Sequence, residues 1–355
     1  MPSTGPESTE TRVVLGVLES APDTYWLERR PDDKHLAGLL AFPGGKCGAD
    51  ESPLAALRRE LIEELGIEAE TIEPLIEIPW VYAASRPPKH VRLLVYRVFS
   101  WRGPIRGREG QSVEPVRLDC RDRCTWLDAL PPANRGIVAA LCLPPRVAIS
   151  AACGSDAQGF ERWLADLCAT AAELARRFGA AGSILQLRPG MELSLEEWRR
   201  AAAAVRAQGV CVFVNGALDL ADALNADGVH LNRQRLFDTD VAALAAWQAR
   251  GRWVTAAVHA DRELHRANEL RADAVFISPV LPTESHPGEP AMGWDGFAAL
   301  TRAATMPTYA LGGMSMGALS RVRALGGQGV AAIRAFWCRG ADEVEAGEES
   351  DSFSC

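Results

Sequence analysis

Lysine is nearly missing from this sequence of 355 residues. Lys34, Lys46 and Lys89 are the only three, so nothing beyond residue 89 offers an ammonium group to a phosphate. Long apolar runs are missing too: none reaches the roughly 18 residues of a membrane span. The first ten residues, MPSTGPESTE, have neither the basic start nor the apolar core of a signal peptide. No membrane association and a cytoplasmic location are therefore expected. The nine cysteines form no paired framework, and although Cys120 and Cys124 lie close, no second pair or His cluster completes a zinc site. Reduced, mostly buried thiols are the expectation. A basic excess is also absent: the net charge of −8 argues against a protein that coats duplex nucleic acid. With 48% hydrophobic and 24% charged residues, wholesale disorder and collagen-like repeats are excluded.

The acidity is unevenly placed. The last sixteen residues, GADEVEAGEESDSFSC, carry six acids and no base, whereas the rest of the chain is close to balance. Residues 340–355 are expected to be a disordered acidic tail, and residues 1–10 a disordered N-terminus. The length predicts two domains, at roughly 100–200 residues each. Pro144-Pro145 is the break between them. Before it, RVVLGVLE, Thr24 to Arg29, Pro74 to Trp80 and Val91 to Ser100 read as strands, with a last helix over Arg135 to Cys142. After it, eight short apolar strands alternate with Ala-rich helices such as Leu195 to Ala207 and Asp261 to Leu270. The strands are VAIS, SILQLR, VCVFVN, GVHL, WVTAAVH, AVFISP, PTYALGG and GVAAIRA. Eight such units predict a (β/α)8 barrel at its lower size limit rather than an open doubly wound sheet.

One stretch of the first half carries chemistry. A Gly44-Gly45 turn leads to a helix whose ends are written locally: Ser52 as N-cap, Pro53 as first residue and Gly66 as C-cap. Leu54, Leu57, Leu61 and Leu65 form its apolar face. Glu60, Glu63 and Glu64 share a separate sector about 100° wide. Three carboxylates at that spacing repel one another by a few tenths of a kcal/mol per pair, roughly. Either solvent and the adjacent Arg58 and Arg59 relieve this, or a hard divalent cation does, Mg²⁺ or Mn²⁺.

The run from Gly45 through Glu51, Arg59, Glu60, Leu61, Glu63, Glu64 and Gly66 to Ile67 fits GX5EX7REUXEEXGU at every specified position. It thereby resembles the Nudix hydrolases. The resemblance implies an α/β/α sandwich that cleaves nucleoside diphosphates linked to another moiety, with Mg²⁺ as cofactor. It implies that Glu60, Glu63, Glu64 and the Gly44 carbonyl bind the metal, and that Glu51 and Arg59 orient the carboxylates. RRPDDKHLAGLLAFPGGK, GREGQ at 107–111 and LPPAN at 130–134 further resemble the MutT branch, which removes 8-oxo-dGTP. By that resemblance Glu109 is a metal ligand or base and Asn134 reads the purine edge. Arg30, Phe42, Gly45 and Lys46 would meet the nucleotide, and either Glu60 or Glu109 would be the general base. Plainer readings exist: Phe42 as a core aromatic, Asn134 as a helix cap. Two departures stand beside them. Ala41 occupies a position where MutT-like sequences usually carry Glu, and Leu40 replaces a common Trp.

The second half resembles thiamine phosphate synthase and its TenI relatives, through LQLR (185–188), ADGVHL (226–231), ADAVFISPVLPT (272–283) and ALGG (310–313). The resemblance implies a barrel whose ligand is a thiamine-related phosphate. Positions where a synthase needs lysines hold Gly190 and His286; those where it needs acids for Mg²⁺ hold Gly216 and Arg235; a serine position holds Ala257. Gly, Ala and Arg offer Mg²⁺ no side-chain oxygen, so synthase chemistry is not expected. Arg188, Asn215, His286, Gly312 and Gly313 remain as candidates for a phosphate or ligand pocket, with His230 and His259 nearby in sequence pattern. Gly312 and Gly313 read equally well as a tight turn, and a lone strand histidine as a core residue.

The expected architecture is a Nudix α/β/α sandwich over residues 11–144 followed by a TIM barrel over residues 146–339. The expected function is conversion of 8-oxo-dGTP to 8-oxo-dGMP and pyrophosphate, with the barrel as a ligand-binding or structural partner. The alternatives are hydrolysis of thiamine-related pyrophosphates and a barrel that senses thiamine phosphates.

Overall fold

The structure is a computed structural model that describes residues 10–30, 36–120, 122–156, 158–283 and 290–338. His286, the acidic tail and residues 1–9 lie outside these. Two compact units separate between Cys142 and Leu143.

The first unit is built on a mixed six-stranded sheet. Its strands are β1 (Thr11–Ala21), β2 (Thr24–Arg29), β3 (Leu40–Ala41), β4 (Glu68–Tyr82), β5 (Lys89–Arg102) and β6 (Val113–Arg117). The order is β3-β2-β1-β5-β4, with β6 also paired to β2; β1 and β5 run parallel and the other pairs antiparallel. Strict alternation along β1 divides the core in two. Val14 and Leu18 face helix α1 (Pro53–Leu65), where Leu57, Leu61 and Leu65 are buried. Leu15 and Val17 face the other side, with Leu93 and Val95 of β5. That side is covered by α2 (Arg123–Ala129), a 3-10 turn (Pro132–Asn134) and α3 (Arg135–Cys142). Helices on both faces of one sheet make the expected α/β/α sandwich.

Two expectations need correction. Leu54 shares the angular sector of the apolar face but is 41% exposed; the core contacts of α1 begin with Ala56 and Leu57. Angle alone does not bury a residue in the first turn. Nor are all thiols reduced: Cys120 and Cys142 form a disulfide, with Cα atoms 5.5 Å apart. The two are separated by 22 residues, and it is the packing of α2 and α3 that brings them together.

The second unit is a closed parallel barrel of eight strands: β7 (Arg146–Ile149), β8 (Ile184–Leu187), β9 (Cys211–Asn215), β10 (Gly228–Leu231), β11 (Trp253–Val258), β12 (Ala274–Ile277), β13 (Thr308–Leu311) and β14 (Gly329–Ala332). The helices between them are α4 (Gly159–Phe178), α5 (Leu195–Ala207), α6 (Leu218–Ala223), α7 (Arg233–Asp238), α8 (Val241–Gln248), α9 (Asp261–Glu269), α10 (Gly293–Ala303) and α11 (Leu319–Ala324). Four barrel strands, β8, β10, β12 and β14, are buried end to end, as strands covered on both faces should be. Among the described residues no helix is long and apolar enough to cross a membrane.

The cap of α1 is as its sequence dictates. Ser52 has extended backbone and its hydroxyl accepts from the Ala55 N–H at 3.2 Å, while Gly66 closes the helix at φ +74°. Ser52→Ala should lower unfolding stability by about 1 kcal/mol and leave turnover unchanged, which a denaturant titration paired with a rate assay checks.

Candidate active site

Arg59 organises the acids of α1. Its Nε and Nη2 donate to the two oxygens of Glu51, each at 3.0 Å. Nη1 donates to Glu60 Oε1 and to Glu63 Oε2, both at 2.9 Å, and Nη2 also donates to the Lys46 carbonyl at 3.1 Å. This fork geometry is specific to guanidinium. Glu51 also accepts from the Gly48 N–H at 3.0 Å. Its hydrogen bonds from Arg59, and then from Gly48, hold its carboxyl down at about 2. Both oxygens of Glu51 are thus engaged.

Glu64 stands apart. It is 9% exposed, and among the described residues no Lys, Arg or His pairs with it. Its Oε2 accepts from the Gly44 N–H at 2.7 Å. Burial, then the charge of Glu28, push its carboxyl up to about 8; the Gly44 bond opposes this, and Glu60 and Glu109 add to it. The turn that makes this possible needs glycine at 44, and at 45 it leaves the space that the Glu60 carboxylate fills. Gly44 has φ +141°, with any Cβ 2.1 Å from the Val14 carbonyl, and a Cβ on Gly45 would stand 2.3 Å from Glu60 Oε1. The backbone thus lies directly against two carboxylates.

Glu109 is exposed on the loop that follows β5. The loop is tied to α1 by the Arg108 N–H, which donates to the Glu64 carbonyl at 2.9 Å, and within the loop the Glu109 N–H donates to the side-chain Oε1 of Gln111 at 2.8 Å. The other candidates of this unit lie elsewhere. Lys46 is exposed, and its carbonyl is the part that Arg59 uses. Arg30 closes β2, pairing through its backbone with Gly38 and Leu39. The ring of Phe42 is fully buried in the core on the α3 side, as the plainer reading had it. Asn134 is buried inside the 3-10 turn that runs into α3, not in the extended conformation of an N-cap. The structure therefore gathers Gly44, Gly45, Glu51, Arg59, Glu60, Glu63 and Glu64 into one cluster, with Glu109 alongside. Phe42 and Asn134 belong to the opposite face of the sheet.

Two residues escaped sequence reasoning. Glu28 on β2 and Gln111 are both buried beside Glu64. Strand alternation puts Glu28 on the same face as Trp26, toward α1, and that was the available signal.

The donor set is entirely oxygen: Glu60, Glu63, Glu64 and the Gly44 carbonyl. A buried carboxylate surrounded by Glu28, Glu60 and Glu109 lacks positive charge, so this set fits a hard divalent cation. Among the described residues no three acidic, His or Cys side chains already converge as a cage, and Arg59 is the present counter-charge of Glu60 and Glu63.

In the barrel, the strand ends carry Arg188, Asn215 and His259. Ser150 Oγ accepts from the Arg188 N–H at 2.7 Å. The His259 ring bonds the Ser278 carbonyl through Nδ1 at 2.7 Å, which makes Nδ1 the donor and leaves Nε2 as acceptor. His230 is a satisfied core residue: Nδ1 meets Thr255 Oγ1 at 2.9 Å and the ring stacks on Phe276. Burial, helped by Arg188 and His259, pushes it down to about 3. Gly312 and Gly313 have φ +93° and +67°, and Cβ atoms there would lie 2.9 Å from Pro279 and 2.7 Å from Leu281. Close packing on the loop after β12 thus accounts for both.

The raised Glu64 has a consequence for stability. Between the ordinary value of 4.5 and about 8, the folded protein holds a proton on Glu64 that the unfolded chain releases. Stability then falls as pH rises through that window. His230 has the opposite sign but is neutral in both states above 6.5. Cation-free protein should accordingly lose Tm between about pH 6.5 and 8, and Glu64→Gln should flatten that slope; melts across pH test this.

Comparison with known proteins agrees with this geometry. The NUDIX domain family profile matches residues 9–141, and the profile described as thiamine monophosphate synthase matches residues 163–336. The 8-oxo-dGTP diphosphatase of Escherichia coli is 32% identical over 130 residues, covering 37% of this chain and 95% of that protein. The 8-oxo-dGTP diphosphatase of Haemophilus influenzae is 35% identical over 130 residues, covering 36% of this chain and 88% of its own length. The thiamine-phosphate synthase of Thermus thermophilus is 33% identical over 141 residues, covering 38% of this chain and 64% of that protein. The chain belongs to the Nudix family of hydrolases acting on phosphoanhydride bonds, and a thiamine monophosphate synthase-type barrel follows its Nudix domain.

Proposed function

We propose that residues 11–144 form a Mg²⁺-dependent pyrophosphohydrolase of the MutT type, converting 8-oxo-dGTP and water to 8-oxo-dGMP and pyrophosphate. The carrying observation is the cluster itself: Arg59 forked onto Glu51 and shared with Glu60 and Glu63, beside a buried Glu64 with no cationic partner among the described residues. Relatives named 8-oxo-dGTP diphosphatase that match over nearly their whole length support the substrate.

Glu60, Glu63, Glu64 and the Gly44 carbonyl would hold Mg²⁺, or Mn²⁺ in its place, with Glu109 contributing from its loop. The ion supplies charge neutralisation of the triphosphate and an acidified water. Glu51 keeps Arg59 fixed, and Arg59 keeps Glu60 and Glu63 from turning away. Glu60 or Glu109 accepts the proton of the attacking water. Arg30 and Lys46 would add positive charge toward the phosphates. The Asn134 amide, a donor and an acceptor in one plane, suits a purine edge.

Residues 146–339 are read as a barrel that binds a ligand or stabilises the chain without synthase activity. Gly190 and Gly216 occupy positions where the resemblance requires Lys and Asp, and the Arg235 N–H serves a helix cap on Asn232. Arg188, Asn215, Gly312 and Gly313 are the residues through which a thiamine-related phosphate would bind, together with His286.

Steady-state kcat/KM on the full chain for 8-oxo-dGTP, dGTP and thiamine pyrophosphate tests the assignment. The preference should be for 8-oxo-dGTP; a preference for thiamine pyrophosphate overturns it. Glu64→Gln should nearly abolish turnover of every substrate without changing the fold. Asn134→Ala should cut the preference for 8-oxo-dGTP over dGTP by about tenfold or more, since a buried amide that reads a base discriminates by about 1–3 kcal/mol.

A further inference from the structure

Glu28 is a carboxyl side chain on a strand that has neighbours on both sides. It is opposed directly by Ala41 on β3 and by Val113 on β6, and its side chain is 8% exposed. A carboxylate buried there is costly unless polar groups receive it. Gln111 is one such group. Its Nε2 donates to Glu28 Oε2 at 3.5 Å and to the Glu64 carbonyl at 3.2 Å, while its Oε1 accepts from the Glu109 N–H at 2.8 Å. Gln111 is itself 9% exposed, so water does not compete freely for these bonds.

The three bonds join three separate parts of the site. Glu28 belongs to β2, which is paired with β1, β3 and β6 and is thus the rigid end of the chain of bonds. Glu64 belongs to the last turn of α1. Glu109 belongs to a loop that has no regular structure of its own, where Gly110 stands at φ +81°. An amide with one acceptor and two donors fits this junction without remainder.

We propose that Glu28 is a positioning residue of the Nudix reaction: by fixing the Gln111 amide it holds the Glu109 loop in register with the C-terminal turn of α1. This rests on the hydrolase reading above. Glu28 acts through another residue, and its contribution is orientation. Glu109 is exposed and its loop short, so orientation of its backbone decides where its carboxylate can reach. Displacement of such a group by an ångström is enough to cost a large factor in rate.

Glu28→Ala, Glu28→Gln, Gln111→Ala and the double variant Glu28→Ala/Gln111→Ala in the full chain test this. Each alanine variant should lower kcat by about tenfold with KM little changed, the signature of lost positioning. Glu28→Gln keeps an acceptor for Gln111 Nε2 and should stay within about threefold of wild type. The double variant should be no worse than either single one, because both cut the same chain of bonds. Losses that multiply, or a Glu28→Gln as damaged as Glu28→Ala, would overturn the proposal. Deuterium exchange of the 107–111 backbone supplies a readout independent of turnover. Protection of the Glu109 amide should be lost in Glu28→Ala and kept in Glu28→Gln; protection unchanged in Glu28→Ala would also overturn it. A wild-type chain that hydrolyses no phosphoanhydride would instead count against the hydrolase reading, and the exchange measurement would still decide the role of Glu28.

Discussion

Three carboxylates, two of them on α1 and one just ahead of its N-cap, depend on a single guanidinium. Arg59 reaches Glu51 with a two-pronged bond and Glu60 and Glu63 with a shared nitrogen. Without it, α1 would present uncompensated like charges at helical spacing. Arg59 cannot release its proton, so its charge is constant across any working pH. Glu64 is excluded from this arrangement by position: it faces the sheet, meets the Gly44 N–H, and shares its surroundings with Glu28. The site thus divides into acids already neutralised and one acid left in want of a cation. Gly44 is the geometric condition for the Glu64 contact, because a side chain there would occupy the space of the Val14 carbonyl.

The barrel presents the opposite case. In its interior His230 is bonded to Thr255 and stacked on Phe276, and Tyr309 is set edge-on to the same ring. Its glycine pair is explained by close packing against the loop after β12. No lysine is available to it from its own sequence.

Much of this is legible in the sequence where local signals suffice. Ser52, Pro53 and Gly66 mark α1 to the residue, and each barrel strand announces itself as a short apolar run between helices. The Nudix acids are legible because their spacing is a motif. What is not legible depends on contacts made across the chain. Strand β6 reads VEPVR and has no buried face to betray it. Strand β3 is two residues long and exists only because β2 lies beside it. The Cys120–Cys142 bond joins residues 22 apart in sequence with no local signal for their pairing. Ala41 looked like a missing acid, yet the register places Glu28 directly opposite it, so a carboxylate is present at that level on the neighbouring strand. Linear reading sees the loss at one position and not the gain at the other.

In the reading proposed above, the acids around Glu64 form a cation site whose occupation replaces a proton. Calorimetric titration of Mg²⁺ into the full-length protein near pH 7, repeated in two buffers of different ionisation heat, measures this directly. Glu64, held up to about 8, should give up its proton as the ion binds, so binding should release up to about one proton and Glu64→Gln should abolish that release. Binding with no proton released, or no saturable binding with or without a nucleoside triphosphate, would contradict the account.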